Sequence, residues 1–186
     1  QCWMSTGWFK AIPDEDVDPE GYEEGEMQWY YADSSGDLVT AQIKKINGQS
    51  YGFDQYGKML HGLYRIEFEE NGKTIRSAEE IESVDQLPDE DEEGVYVYYF
   101  GDSPKEGAVK TGTATIEIDG DKYYYSFSKA GSKKGAGVDG VDGDSIFIKG
   151  RRIEAEEGSK YQPVTYKNET YLVSTAGKLM KNIRKE

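Results

Sequence analysis

The sequence predicts an all-β fold, a β-hairpin solenoid of about five irregular aromatic repeats with acidic loop insertions, and three observations predict it. A short aromatic phrase occurs five times, each time followed by a glycine and a small basic or apolar tail. It reads WYYADSSGDLVTA from Trp29, SYGFDQYGKMLHG from Ser50, VYYFGDSPKEGAVKTG from Val97, YYSFSKAGSKKGAG from Tyr124 and TYLVSTAGKLMKN from Thr170. Self-similarity on this scale means a stacked array in which each unit buries its apolar face against its neighbours. Asn-Gly and Asp-Gly pairs stand between alternating segments, a strong hairpin signal because both turn positions want φ > 0. Only 36% of the 186 residues are apolar, and tyrosine, with 15 copies, supplies much of that share, so a globule built on Leu, Ile and Val is not expected.

In chain order the approximate units are 1–41, 42–62, 63–112, 113–137 and 138–186, forming one repeat array. Side chains alternate faces along a strand, so each aromatic phrase can be read in two rows. Positions one and three drift freely: Trp29, Ser50, Val97, Tyr124 and Thr170, then Tyr31, Gly52, Tyr99, Ser126 and Leu172. Positions two and four stay aromatic or apolar: Tyr30, Tyr51, Tyr98, Tyr125 and Tyr171, then Ala32, Phe53, Phe100, Phe127 and Val173. The second row is therefore assigned to the interior, with Ser50 and Thr170 expected in solvent. Tyr123 could replace Tyr125 in the fourth copy, a two-residue slip that keeps the same faces. Hairpin turns are expected at Asn47-Gly48 and Asp119-Gly120, with further ones at Asn71-Gly72 and Lys149-Gly150.

The acidic stretches 13–26 (PDEDVDPEGYEEGE) and 88–94 (PDEDEEG) read as solvated loops whose charge keeps a tyrosine-rich array soluble. Ser77 and Glu80 have the spacing of a capping box for a short helix. Asp139, Asp142 and Asp144 are a further carboxylate group, but none of these clusters matches the spacing of a calcium loop and no metal is assigned.

Charge narrows the function classes. With 22 Lys+Arg against 36 Asp+Glu the net charge is -14, which repels nucleic acid and anionic headgroups. No apolar run approaches the ~20 residues of a spanning helix, so no membrane insertion is expected. Cys2 is the only cysteine, which excludes an intrachain disulfide. An enzyme finds little support. The lone His61 reads as a surface turn residue, and there is no phosphate-cradling glycine motif, nucleophile elbow or metal-spaced His cluster. The chain is expected to be non-catalytic and to need no cofactor.

The phrases Met4-Ser5-Thr6-Gly7-Trp8, Trp29-Tyr30-Tyr31, Gly57-Lys58-Met59 with Gly62, and Thr111-Gly112 together resemble the cell-wall-binding, or choline-binding, repeat of Gram-positive surface proteins. The resemblance covers nearly the whole chain, strongly at 1–62 and more loosely beyond. Residues 1–7 resemble the tail of a preceding unit, so a fragment of a longer protein is expected. The resemblance implies hairpins wound into a β-solenoid, an extracellular place on the cell wall, and aromatic cages for the choline of teichoic acids or, in related repeats, for α-glucans. The implied partner is thus a wall polymer, choline-bearing or glucan, or a surface protein, with oligomeric state open.

A quaternary ammonium has no hydrogen to donate and is held by aromatic faces, each worth about 0.5 to 2 kcal/mol. The family's first tryptophan is Trp8 in the first copy, with Gln42, Leu63, Thr113 and Ile183 as its counterparts, and the strand tryptophan survives only as Trp29. Candidate ligand-binding residues are accordingly Trp8 and Trp29 as walls, Tyr31 as a flanking ring and Met59 as apolar closure, with Trp3 a possible extra ring. The competing reading is that the tryptophans pack between hairpins and the array serves as a structural spacer or protein-binding adhesin stalk with decayed ligand sites.

Overall fold

The computed structural model describes residues 6–102 and 107–180, so Cys2, Trp3, Met4, Ser5 and Ile183 lie outside the described residues. Among those described, the elements are fifteen β-strands, one six-residue α-helix and one short 3-10 turn. The fold is all-β, as predicted. The chain divides into two compact units, residues 1–80 with 99–109, and residues 81–98 with 110–186.

Unit 1 contains β1 (Gly7–Ala11), α1 (Pro19–Glu24), β2 (Gln28–Ala32), β3 (Gln42–Ile46), β4 (Gln49–Phe53), β5 (Gly62–Phe68) and β6 (Ile75–Glu80). β7 (Val95–Asp102) is counted with unit 1 from Tyr99 onward, and β8 (Ala108–Val109) completes it. β1 and β2 form a two-stranded antiparallel ribbon, and the larger sheet runs in the order β3-β4-β8-β7-β5-β6. Unit 2 contains β9 (Gly112–Ile118), β10 (Asp121–Phe127), β11 (Gly140–Asp142), β12 (Ser145–Ile148), β13 (Arg151–Arg152), β14 (Tyr161–Tyr166) and β15 (Glu169–Ser174). Its sheets are β11-β12-β13-β10-β9 and the pair β14-β15.

Turn chemistry sets the register. Asn47-Gly48, Asp119-Gly120 and Lys149-Gly150 are two-residue turns with φ of 50° and 88°, 53° and 83°, and 49° and 94°. That double positive φ is what matches the twist of the flanking strands. Gly150 meets a second demand, because a Cβ there would lie 2.8 Å from Gly137 Cα. Asn71-Gly72 differs from the tight turn expected: β5 and β6 are joined by a longer loop in which Asn71 Oδ1 accepts from the Lys73 and Thr74 amides at 2.8 and 2.9 Å.

The interior row is confirmed at position four, where Ala32, Phe53, Phe100, Phe127 and Val173 are all buried. At position two Tyr30, Tyr51, Tyr98 and Tyr125 are buried, and Tyr125 outranks the half-buried Tyr123 for the fourth copy. Tyr171 departs from the expectation and is half-buried. It lies in a two-stranded sheet and its hydroxyl donates to Glu169 Oε2 at 2.6 Å, which keeps the ring's polar end at the surface. Thr170 is exposed as expected, whereas Ser50 is half-buried beside its cross-strand partner Lys45. Two residues of the drifting row are buried as well. Gly52 lies under the Phe100 ring, and the Val97 carbonyl accepts from the Gly137 amide at 2.8 Å.

After the strand, the repeat turns back on itself. Asp33 Oδ1 accepts from the Ser35 and Asp37 amides, Asp54 Oδ1 from Tyr56 and Lys58, and Ser174 Oγ from Ala176 and Lys178. This side-chain mimicry of a turn returns the tail to bridge position four: Ala32 to Leu38, Phe53 to Met59 and Val173 to Leu179.

Two other expectations fail for identifiable reasons. Ser77 and Glu80 belong to strand β6, because β5 offers a partner in which Glu67 faces Ser77 and Arg65 faces Glu79. The capping box sits instead at Ser83 and Gln86, on the 3-10 turn Val84–Gln86. Stretch 13–26 is more than a solvated loop. Asp18 within it is buried, its Oδ1 accepts from the Gly21 amide at 3.2 Å to cap α1, and its Oδ2 lies 3.0 Å from Lys58 Nζ in the second repeat.

Candidate functional site

The β1–β2 register places Trp8 opposite Tyr31 and Lys10 opposite Trp29. Alternation then puts these four side chains on one face of the ribbon and Phe9, Ala11, Tyr30 and Ala32 on the other. Trp8 is the hub. Its ring centroid lies 6.0 Å from Trp29 and 5.2 Å from Tyr31, both edge-on. It also meets Tyr51 edge-on at 4.7 Å and Phe53 tilted at 5.8 Å. Aromatic pairs in this geometry are worth about 0.5–1.5 kcal/mol beyond burial, so Trp8 ties the ribbon to the second repeat. Met59 arrives through the turn after β4: its amide donates to the Trp29 carbonyl at 2.9 Å, and with Trp8 and Tyr31 it packs on the core of Val39, Ile46, Tyr51, Phe53 and Ala108.

The structure thus brings together all four residues predicted from the sequence, Trp8, Trp29, Tyr31 and Met59, each half-buried. Three contributors were not predicted. Tyr51 and Phe53 were assigned to the core alone, yet they hold Trp8 in place. Lys10 carries its ammonium 4.8 Å from the Trp29 ring centroid, so one aromatic face already holds a cation of the chain itself. Its place two residues after Trp8 was visible in the sequence, but its partner depends on hairpin register.

Behind the ribbon lies a charged cluster. Burial would lower the pKa of Lys58, but the hydrogen bond and charge of Asp18, with Asp54 and Glu24, outweigh it and hold the ammonium above its ordinary value. Asp54 is pushed up by burial against the amides of Lys58 and Tyr56 and the Lys58 charge, with Asp18 adding to the rise. The Tyr30 phenol is raised by burial, with Lys58 opposing and Asp54 and Asp18 adding.

Elsewhere aromatic faces also carry the chain's own cations. In unit 2 the Arg152 guanidinium carbon lies 4.3 Å from the Tyr124 ring and Arg151 lies 5.9 Å from Tyr123, beside a groove of about 450 Å³. Asp139 accepts from the Lys149 amide at 2.7 Å and faces its ammonium at 3.4 Å. Among the described residues no group of three or more His, Cys, Asp or Glu is arranged to hold a metal ion. His61 is exposed.

No family model matches the chain, and no curated protein matches it. Solved structures similar to it include choline-binding proteins. Choline binding protein F from Streptococcus pneumoniae is 20% identical at a TM-score of 0.48, with 95% of this chain and 42% of that chain covered. CbpJ from Streptococcus pneumoniae TIGR4 is 16% identical at a TM-score of 0.48, with 95% and 42% covered. The multimodular pneumococcal cell wall endolysin from phage Cp-1, complexed with choline, is 18% identical at a TM-score of 0.37, with 96% and 38% covered. The chain therefore spans less than half the length of each. At these scores the likeness assigns no residue a role, and the hairpin fold stands on the strand pairing described above.

Proposed function

We propose that this chain is a non-catalytic wall-binding module of an extracellular bacterial surface protein, built from the five repeat units 1–41, 42–62, 63–112, 113–137 and 138–186. Its ligand is a wall polymer, choline-bearing or glucan, held at Trp8, Trp29, Tyr31 and Met59. The observation that supports this most is the convergence of those four residues: Trp8 lies within 6.0 Å of Trp29 and 5.2 Å of Tyr31, and the Met59 amide bonds to the Trp29 carbonyl. Clustered aromatic rings of this kind suit a cation or a sugar ring. The choline-binding proteins among the structural neighbours agree with the reading.

A specific observation favours a second reading, a spacer or protein-binding stalk. Trp8 is engaged by Tyr51 and Phe53, and Lys10 covers Trp29, so both tryptophans already have partners within the chain. A cage limited to two tryptophans should hold free choline only at millimolar levels, about 4 kcal/mol, and retention on a polymer would come from several weak contacts. The deciding experiment compares the chain with Trp8→Ala and Trp29→Ala on choline-bearing and choline-free wall preparations, with choline and α-glucan titrations followed by tryptophan fluorescence. Loss of retention in both variants is expected. Equal retention of all three proteins would remove the cage and leave the stalk.

A further inference from the structure

We propose a second binding site on the opposite face of the β1–β2 ribbon, one that takes a small primary ammonium carrying a short apolar body. The face is the one that alternation turns away from Trp8 and Trp29. A cavity of about 200 Å³ opens there. The Phe9 and Tyr30 rings stack in it at 5.6 Å and 18°, and Tyr56 adds a third ring.

Its rim is unusual for a chain so rich in charge. Ile12, Val17 and Leu38 are 47%, 55% and 42% exposed, and all three line this one cavity. They come from three separate segments: the residue after β1, the 13–26 stretch and the turn after β2. Single exposed apolar side chains need no explanation, whereas a group of them around a concavity marks a place where something apolar sits.

The charged groups that line the cavity decide what that is. They are Asp14 and Asp18, and among the described residues no lysine or arginine lines it. Asp18 is 5% exposed and its Oδ2 lies 3.0 Å from Lys58 Nζ, so one of the two lining carboxylates is already paired. Asp14 adds a second carboxylate beside that pair, so the cavity keeps a net negative field. A carboxylate rewards a ligand that donates N–H, because charge-assisted hydrogen bonds are about twice as strong as neutral ones. That distinguishes this site from rings alone, which suit a quaternary ammonium. A sugar fits poorly, since most of its hydroxyls would face Ile, Val, Leu and Phe side chains without partners. The volume is below the range of drug-sized pockets, about 300–1,000 Å³, so the apolar body is short.

The site is independent of the wall-binding reading and is tested apart from it. The full chain is titrated with phenethylamine and with its neutral analogue 2-phenylethanol, followed by calorimetry and by the ring resonances of Phe9, Tyr30 and Tyr56. The amine should bind about tenfold tighter than the alcohol, the worth of one charge-assisted hydrogen bond. Asp14→Asn and Val17→Ser alter exposed residues and should each weaken the amine several-fold while the fold, checked by circular dichroism, is kept. Equal binding of amine and alcohol overturns the proposal, as does an amine whose affinity is kept in both Asp14→Asn and Val17→Ser. Ring resonances that stay put at millimolar amine also overturn it.

Discussion

In unit 1 the aromatic strand β2 presents Trp29 and Tyr31 to Trp8, and the cluster is completed by Met59 from the next repeat. In unit 2 the corresponding positions of β10 hold Tyr124 and Ser126, and those of β15 hold Thr170 and Leu172. The buried row is nearly the same in both: Phe53 and Ala32 in one, Phe127 and Val173 in the other, all at position four. Turns are also shared, down to the Asp or Ser side chain that accepts two amides after the strand. Folding and display are therefore separable in this chain. Positions two and four together with the turn residues maintain the hairpins, while positions one and three, apart from the buried Gly52 and Val97, vary freely and carry the Trp29–Tyr31 cluster in one unit only. At position one, both aromatics carry an internal cation, Lys10 on Trp29 and Arg152 on Tyr124.

The largest expected effect tests that separation through the inner row. Phe53→Ala removes a fully buried ring that also contacts Trp8, and should cost about 3–5 kcal/mol. Val173→Ala, equally buried in unit 2, should cost about 2 kcal/mol for its smaller loss of volume. Denaturant unfolding followed by circular dichroism measures both. Tryptophan emission distinguishes them, because Trp8 and Trp29 both lie in unit 1: the native spectrum should shift for Phe53→Ala and stay for Val173→Ala. A shift of equal size in both would show that the two inner rows do not act separately.

Alkaline pH bears most heavily on unit 2, although burial also raises Tyr30 and Tyr51 in unit 1. Tyr125 is pushed from 10.0 up to about 12, chiefly by burial, with Arg151 opposing and Tyr123 adding. Tyr98 is raised in the same direction by burial and by Tyr96. A raised folded pKa contributes stability that is whole below the unfolded value and lost as pH climbs toward the folded one. Between pH 10 and about 12 Tyr125 should therefore remove up to about 3 kcal/mol. Its hydroxyl is buried and has no hydrogen-bond partner among the described residues. Tyr125→Phe should accordingly match or exceed the parent at neutral pH, since no bond is lost, and should flatten the alkaline fall. An unchanged slope in Tyr125→Phe would remove the phenol as its cause.

Much of this was legible in the sequence, for reasons that also show what was not. Period-two alternation is a local property, so the burial of Phe53, Phe100 and Phe127 could be read from single strands. Asn47-Gly48 and Asp119-Gly120 announce their backbone geometry. Lys167-Asn168 makes the same kind of turn, with φ of 46° and 66°, but has no glycine, and its geometry is held by a distant contact, Glu90 Oε2 accepting the Lys167 amide at 3.1 Å. Asp18 was hidden in an acidic run whose composition says solvent: its cap on α1 is local, but its ion pair is with Lys58, far along the chain. Ser77 and Glu80 fit a helix cap or a strand equally, and β5 decides. Of the candidate site, the convergence of Trp8, Trp29, Tyr31 and Met59 followed from the repeat, whereas Lys10 required the register of β1 against β2.

The smallest expected effect concerns that lysine and rests on the wall-binding reading. If choline uses the Trp29 face, it must displace an ammonium already 4.8 Å from the ring centroid. An exposed cation–π contact is worth about 0.5–1 kcal/mol, so Lys10→Ala should tighten choline two- to five-fold, roughly. Lys10→Arg should leave it unchanged or weaken it, because a guanidinium stacks on an aromatic face at least as well. In unit 2, Arg152→Ala exposes Tyr124 in the same way, but position three there is Ser126 and supplies no second ring. That variant should gain no choline binding, since one ring alone makes no cage. Titration of the three variants beside the parent checks both halves. A gain in Arg152→Ala equal to that in Lys10→Ala would mean that a single uncovered ring suffices and that unit 2 has kept as much of the ligand surface as unit 1. No gain in either would mean that choline, where it binds, does not approach by the Trp29 face.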